Sequence, residues 1–297
     1  METIEKNAVV NGTRITYFER GISYRGQRPT LLFVHATGFH ARVWDKIIDA
    51  MGDIHSITVD QRGHGRSEKK KIQHWDEVIT DVAELIEQLD LTNILAIGHS
   101  MGGHALIGAG ARMQERFQRI VAIDPVIPAE DSYHDEKPSP FSGAEEHPTA
   151  KRRSEFDSPE EMADRLRPKG SYGLFHPDIL MDYCKHGLLP NPKGKGYILA
   201  CPPEIEASVY MSSRSNAEIY HAVHKLEIPV LILRAKEPPA DRNIMDFSSS
   251  PTWPGLVNEF KNGREIYFGD HTHFLPMEIP HEVTNIIQGE LEAIENP

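Results

Sequence analysis

Three features of the 297-residue sequence predict an α/β protein: a mostly parallel sheet, helices on both faces, and a helical insertion late in the sheet. Strand-length apolar runs alternate with helix-period segments from residue 31 to 123, the alternation breaks between about 126 and 226, and strand signals then return.

Taken in order, Val9-Val10-Asn11-Gly12-Thr13-Arg14-Ile15 sets an Asn-Gly turn among β-branched residues and predicts an opening hairpin. Residues 31–34 read as a buried strand, 41–51 as a helix and 55–59 as a second buried strand. A helix near 75–89 follows, its apolar face made by Val78, Val82, Leu85, Ile86 and Leu89. Next come a strand at 94–97, a helix from about 101 and a strand at 120–123. Residues 126–226 break into short pieces punctuated by Pro, Gly and charge, read as an inserted, mostly helical cap. Strands at 229–234 and 265–268, with a helix near 254–261 between them, resume the sheet. A last helix near 280–293 opens at Pro280. The expected organisation is therefore a core of residues 1–125 and 227–297 with a cap of 126–226.

Charge narrows the function classes. Acidic residues number 44 and basic ones 32, a formal net charge of −12, and Lys69-Lys70-Lys71 is the longest basic run. Nucleic acid as the main partner needs concentrated positive charge, and so does a polybasic membrane anchor; neither is expected. The apolar runs fall far short of the roughly 18 residues of a membrane span. The N-terminus is charged and lacks a signal-peptide apolar stretch, so the expected location is the cytoplasm. Cys184 and Cys201 form no disulfide framework and share no metal-ligand spacing with histidines, so unpaired thiols, no metal and no cofactor are expected. Nothing in the sequence specifies an oligomeric state.

Gly98-His99-Ser100-Met101-Gly102 follows the apolar strand Ile94-Leu95-Ala96-Ile97 and precedes Gly103, Ala105, Gly108 and Ala109, small residues suited to a helix packed closely on a sheet. This is G-x-S-x-G between strand and helix, where flanking glycines permit a strained turn that presents the serine hydroxyl. The chain here resembles the α/β-hydrolase superfamily, over nearly all its length apart from the cap, and the resemblance implies an eight-stranded sheet. His35-Ala36-Thr37-Gly38-Phe39 is similar to the family's oxyanion segment, which implies the backbone N–H groups of Thr37 and Met101 as oxyanion donors. Ala36 stands where the family usually has Gly. Phe39 flanks that hole and is expected to line the substrate pocket. Asp60-Gln61-Arg62-Gly63-His64-Gly65-Arg66-Ser67 is similar to a family loop that is usually structural.

Family order places the base in a late histidine. His273 is preferred because His273-Phe274-Leu275-Pro276-Met277-Glu278-Ile279-Pro280 resembles the family's G-H-F-x-x-x-E-x-P pattern, with Thr272 in place of the first Gly; His271 is the runner-up. For the acid, the usual turn after strand 229–234 runs Arg234-Ala235-Lys236-Glu237-Pro238-Pro239-Ala240-Asp241 and carries no Asp at the expected place. Asp124, at the end of Ile120-Val121-Ala122-Ile123, matches the layout of one haloalkane dehalogenase branch. Asp124 is preferred and Glu237 is the alternative, with Asp241 and Asp246 further into the loop. Serine at position 100 excludes dehalogenation and epoxide opening, which use Asp there in this fold.

The expected activity is a serine hydrolase acting on a small-molecule acyl substrate, an ester, thioester or lactone, through an acyl-serine. C–C bond hydrolysis, cofactor-free perhydrolysis, a slow-turnover ligand sensor and a scaffold with an incomplete triad remain alternatives on the same residues. In the cap, Tyr133, Phe141, Phe156, Tyr172, Phe175, Tyr183 and Tyr210 are read first as the cap's own packing. Lys151-Arg152-Arg153, bracketed by acids, is read as a solvated face.

Overall fold

The computed structural model describes residues 1–134, 141–239, 246 and 248–296. The hairpin forms as its turn chemistry dictates: β1 (Ile4–Val10) and β2 (Thr13–Arg20) pair antiparallel, and both Asn11 and Gly12 take the positive φ that a tight two-residue connection demands. Next in the chain are β3 (Thr30–Val34), α1 (Asp45–Met51), β4 (Ser56–Asp60) and α2 (Asp76–Gln88). They lead to β5 (Ile94–His99), α3 (Met101–Arg112) and β6 (Phe117–Ile123). The insertion follows, with β7 (Glu155–Phe156), α4 (Pro159–Leu166), α5 (Pro177–His186), β8 (Leu188–Pro190), β9 (Tyr197–Leu199), α6 (Pro203–Met211) and α7 (Ile219–Lys225). The chain then returns through β10 (Val230–Ala235) and β11 (Gly263–Phe268) to α8 (Leu275–Glu278) and α9 (Pro280–Glu295).

Eight strands form one sheet in the order β1-β2-β4-β3-β5-β6-β10-β11, parallel from β4 onward. The strands β3, β4, β5 and β10 are buried at every position, as sheets covered on both faces require. Val78, Val82 and Leu85 of α2 pack with Ala105 and Ala109 of α3 and Val223 of α7 on one face. Ile47 and Ile48 of α1 pack with Val283, Ile287 and Leu291 of α9 on the other. From β3 the chain steps to one side to form β4, then crosses back to form β5 beside β3. The carboxyl ends of β3 and β5 thus lie at a switch in winding direction, where an open α/β sheet leaves a crevice. Residues 35–39 leave β3 there, and Ser100 leaves β5.

The insertion differs from the expectation in two respects. It carries a three-stranded antiparallel sheet, β7-β9-β8, besides its helices. Its last helix packs with the main sheet: Ile219, Tyr220 and Val223 of α7 join the apolar cluster under α3. The expected helix near 254–261 is a single 3-10 turn, Leu256–Glu259. No helix among the described residues is long and apolar enough to cross a membrane.

Candidate active site

Ser100 occupies the turn between β5 and α3 with φ 59° and ψ −117°, a conformation that costs a non-glycine residue of order 1–3 kcal/mol. The surroundings over-determine it. A Cβ at Gly102 would stand 2.2 Å from the Val34 carbonyl oxygen, and one at Gly98 would stand 2.5 Å from the Gly102 carbonyl oxygen. Only glycine fits at either place, so strand and helix close on each other. The Ser100 N–H donates to the Ile123 carbonyl (2.9 Å), which ties the turn to the end of β6.

Asp124 is the next residue along β6. It is fully buried and has φ 46°, and its N–H donates to the Leu233 carbonyl at the end of β10. Its Oδ1 accepts from the Ala235 N–H (3.0 Å), the Ser250 hydroxyl (2.5 Å) and, at 3.3 Å, the Thr252 hydroxyl, which shares its proton with the Pro125 carbonyl (2.7 Å). Its Oδ2 accepts from His273 Nδ1 at 2.6 Å. With Oδ2 accepting from Nδ1, His273 is fixed in the tautomer that leaves Nε2 as an acceptor.

His273 follows β11 in the loop that leads into α8. Its ring lies 4.9 Å, centroid to centroid, from that of His99, the residue before Ser100. His99 Nε2 donates to the His273 carbonyl (2.8 Å), and burial, with the His273 ring alongside, pushes the His99 imidazole well below its usual range. A neutral His99 therefore holds the backbone of His273. The runner-up His271 is tied elsewhere: its Nδ1 donates to Glu278, which also accepts from the Thr272 N–H and hydroxyl. No hydrogen bond joins Ser100 Oγ to His273 in this structure.

Glu237 lies apart from this group. Its exposed carboxylate pairs with Arg234 at 3.2 Å. Asp241 lies outside the described residues, and Asp246 caps the Ser248 N–H. The carboxylate that meets His273 is Asp124.

The segment 35–39 after β3 is held by neutral histidines. His35 Nδ1 donates to the Ala36 carbonyl, and its Nε2 accepts the Gln61 N–H at 3.0 Å. His64 Nε2 accepts the Gly38 N–H at 3.0 Å, while its Nδ1 donates to the Arg62 carbonyl. Burial lowers both rings, His35 to about 4 and His64 to about 3, so they stay uncharged and can accept. Ala36 is tolerated because the left-handed position is Gly38, with φ 78°, and not residue 36. The backbone N–H groups of Thr37 and Met101 have no hydrogen-bond acceptor among the described residues, and the Thr37 hydroxyl touches Met101 Sδ at 3.8 Å. Phe39 meets Tyr183 and Phe175 of the insertion and Phe274, with centroids 4.9, 6.2 and 5.8 Å away.

Two supports escape a reading of the sequence. Ser250 and Thr252 belong to an irregular loop with no periodic signal. His64, by contrast, sits inside the motif at 60–67, and its acceptor role was open to inference. Among the cap aromatics, Tyr172, Phe175 and Tyr183 form one group with Phe39, while Phe141 and Tyr210 pack on His147 and Tyr133 packs on Tyr220. Cys184 and Cys201 are buried free thiols.

Comparison with known proteins bears on the fold and the family. The chain is 32% identical over 102 residues to 2-(acetamidomethylene)succinate hydrolase from Mesorhizobium japonicum, covering 34% of this chain and 37% of that one. It is 32% identical over 76 residues to Esterase YbfF from Escherichia coli, covering 26% and 30%. The matches thus span about a third of the length of these curated relatives. The solved structure of E-2-(acetamidomethylene)succinate hydrolase superposes with a TM-score of 0.74 at 20% identity, over 97% of this chain and 98% of that chain, and so shares the fold. Residues 31–286 match the model of the alpha/beta hydrolase family. The chain belongs to the alpha/beta hydrolase family.

Proposed function

We propose that this protein is a serine hydrolase that cleaves a small carboxylic ester, thioester or lactone through an acyl-serine intermediate. The observation that carries the reading is the buried Asp124–His273 hydrogen bond beside the strained turn of Ser100. In this mechanism Ser100 Oγ attacks the acyl carbon while His273 Nε2 takes its proton. Asp124 keeps the imidazole oriented and stabilises the imidazolium that forms. Negative charge on the carbonyl oxygen falls on the Thr37 and Met101 N–H groups, each worth on the order of 3 kcal/mol. His273 then protonates the leaving alcohol or thiol, and water, deprotonated by the same imidazole, releases the acid and restores Ser100.

The aromatic group around Phe39 supplies an apolar wall for the acyl chain. Relatives named as an esterase and as the hydrolase of a succinate derivative support a small substrate of this chemistry. Multiple turnovers of 4-nitrophenyl acetate, lost in Ser100→Ala and in His273→Gln, are the expected result. Undiminished turnover in Ser100→Ala would remove the reading.

A further inference from the structure

Arg152 departs from its sequence neighbours. Lys151 and Arg153 lie at the surface as expected, with the Arg153 side chain 42% exposed, but the Arg152 side chain is 23% exposed and turns inward. Its Nη1 donates to Glu206 Oε2 at 2.5 Å and its Nη2 to the Tyr183 hydroxyl at 3.4 Å. These contacts use two of the five N–H donors of a guanidinium, so Arg152 meets its carboxylate at one point and keeps three donors.

The free donors have a place to act. Arg152 and Tyr183 line a narrow cleft together with Gly38 and Phe39, which directly follow Thr37. Glu206 does not line it, although its Oε1 packs against Gly38, 2.7 Å from where a Cβ there would stand. His40, the other basic group at the wall, is kept neutral by burial, which lowers it to about 3. Among the described residues Arg152 is therefore the sole charged side chain lining the cleft, in a chain of net charge −12. With room for about one water, the cleft admits a small planar anion beside the acyl chain only as the insertion shifts.

We propose that Arg152, together with the Tyr183 hydroxyl, binds a carboxylate at the far end of the substrate's acyl chain, so that the substrates are half-esters or half-thioesters of short dicarboxylic acids. This rests on the hydrolase reading above and specifies its substrate class. A planar guanidinium fork matches a carboxylate in two parallel hydrogen bonds, which an apolar wall cannot offer. Glu206 balances the guanidinium charge and holds it near Gly38.

The test compares kcat/KM for monomethyl glutarate with that for methyl pentanoate, which carries a methyl group where the half-ester carries its carboxylate. The wild type is expected to favour the half-ester. Arg152→Met/Glu206→Met replaces the pair by apolar chains, a change that folded proteins tolerate. It should lower the ratio of the two kcat/KM values by about 10- to 100-fold. Glu206→Gln keeps the guanidinium and should preserve that ratio. If the pair is only a latch between insertion and loop, both variants slow the two esters alike and the ratio does not move. That result, or a wild type without preference, overturns the proposal while the hydrolase reading stands. Turnover of neither ester counts against the hydrolase reading, and calorimetry on Ser100→Ala then decides the site. Saturable binding of monomethyl glutarate, lost on adding Arg152→Met/Glu206→Met, upholds it; no binding overturns it.

Discussion

Replacing Asp124 by Asn changes one atom and, by the hydrogen bonds around it, inverts the proton on His273. Three donors converge on Oδ1: the Ala235 N–H, the Ser250 hydroxyl and the Thr252 hydroxyl. An Asn at 124 must turn its carbonyl oxygen toward them, which leaves its NH2 facing His273 Nδ1. The imidazole then accepts at Nδ1 and carries its proton on Nε2, so it has no lone pair to receive the proton of Ser100. The expected loss is about 10⁴-fold in kcat, or about 5.5 kcal/mol of transition-state stabilisation. Fold stability should change far less, because the three Oδ1 bonds survive. The assay is kcat on 4-nitrophenyl acetate for Asp124→Asn, Glu237→Gln and wild type, with circular dichroism to check folding. Glu237→Gln should retain activity, since that exposed carboxylate meets only Arg234. A folded Asp124→Asn within tenfold of wild type, beside an inactive Glu237→Gln, would refute the reasoning.

Other expectations concern the frame around the site. Gly102→Ala places a methyl against the Val34 carbonyl, so strand and helix must part; a loss of about 1–3 kcal/mol or more in urea unfolding is expected, together with reduced kcat. Gly289→Ala is the contrasting case: the position lies in mid-helix α9 with nothing within 4 Å of a new Cβ, and a gain of about 0.5–1 kcal/mol should appear in the same titration. Stability should also fall with acid. His35 and His64 have folded pKa values of about 4 and about 3, below the roughly 6.5 of an unfolded imidazole, so the unfolded chain binds the extra protons between those values. Their contribution is complete above about pH 6.5 and shrinks as pH falls, with His35 alone losing on the order of 3 kcal/mol by pH 4. Urea midpoints that stay equal between about pH 7 and about pH 5 would contradict their neutral burial.

Much of the frame was legible because local chemistry and tertiary role coincide. Asn11-Gly12 forms the hairpin it signals, and Ile94–His99 is buried on both faces as its unbroken apolar run predicts. The turn at Ser100 could be read from two glycines whose missing side chains create the space. The candidate base was picked out only through a pattern, His273 to Pro280, since sixteen histidines give no single one much weight. Asp124 could be preferred over Glu237 only through the layout of its strand end, because its partner His273 lies 149 positions away. What stayed hidden depends on long-range assembly. Ser250 and Thr252 sit in a loop with no periodicity, and their meeting with Asp124 exists only once the sheet is formed. Arg152 misleads for the opposite reason: a basic triplet among acids has the composition of a solvated face, yet its middle residue turns inward to Glu206. The small antiparallel sheet of the insertion, with strands of two or three residues, is too short to leave a period.

The most direct measurement is covalent labelling with a fluorophosphonate, read as intact mass and then by peptide mapping. A nucleophilic hydroxyl activated by His273 should take up one equivalent, on the peptide that contains Ser100, and Ser100→Ala should take up none. A folded wild-type protein that stays unlabelled, or a label carried by another residue, contradicts the account.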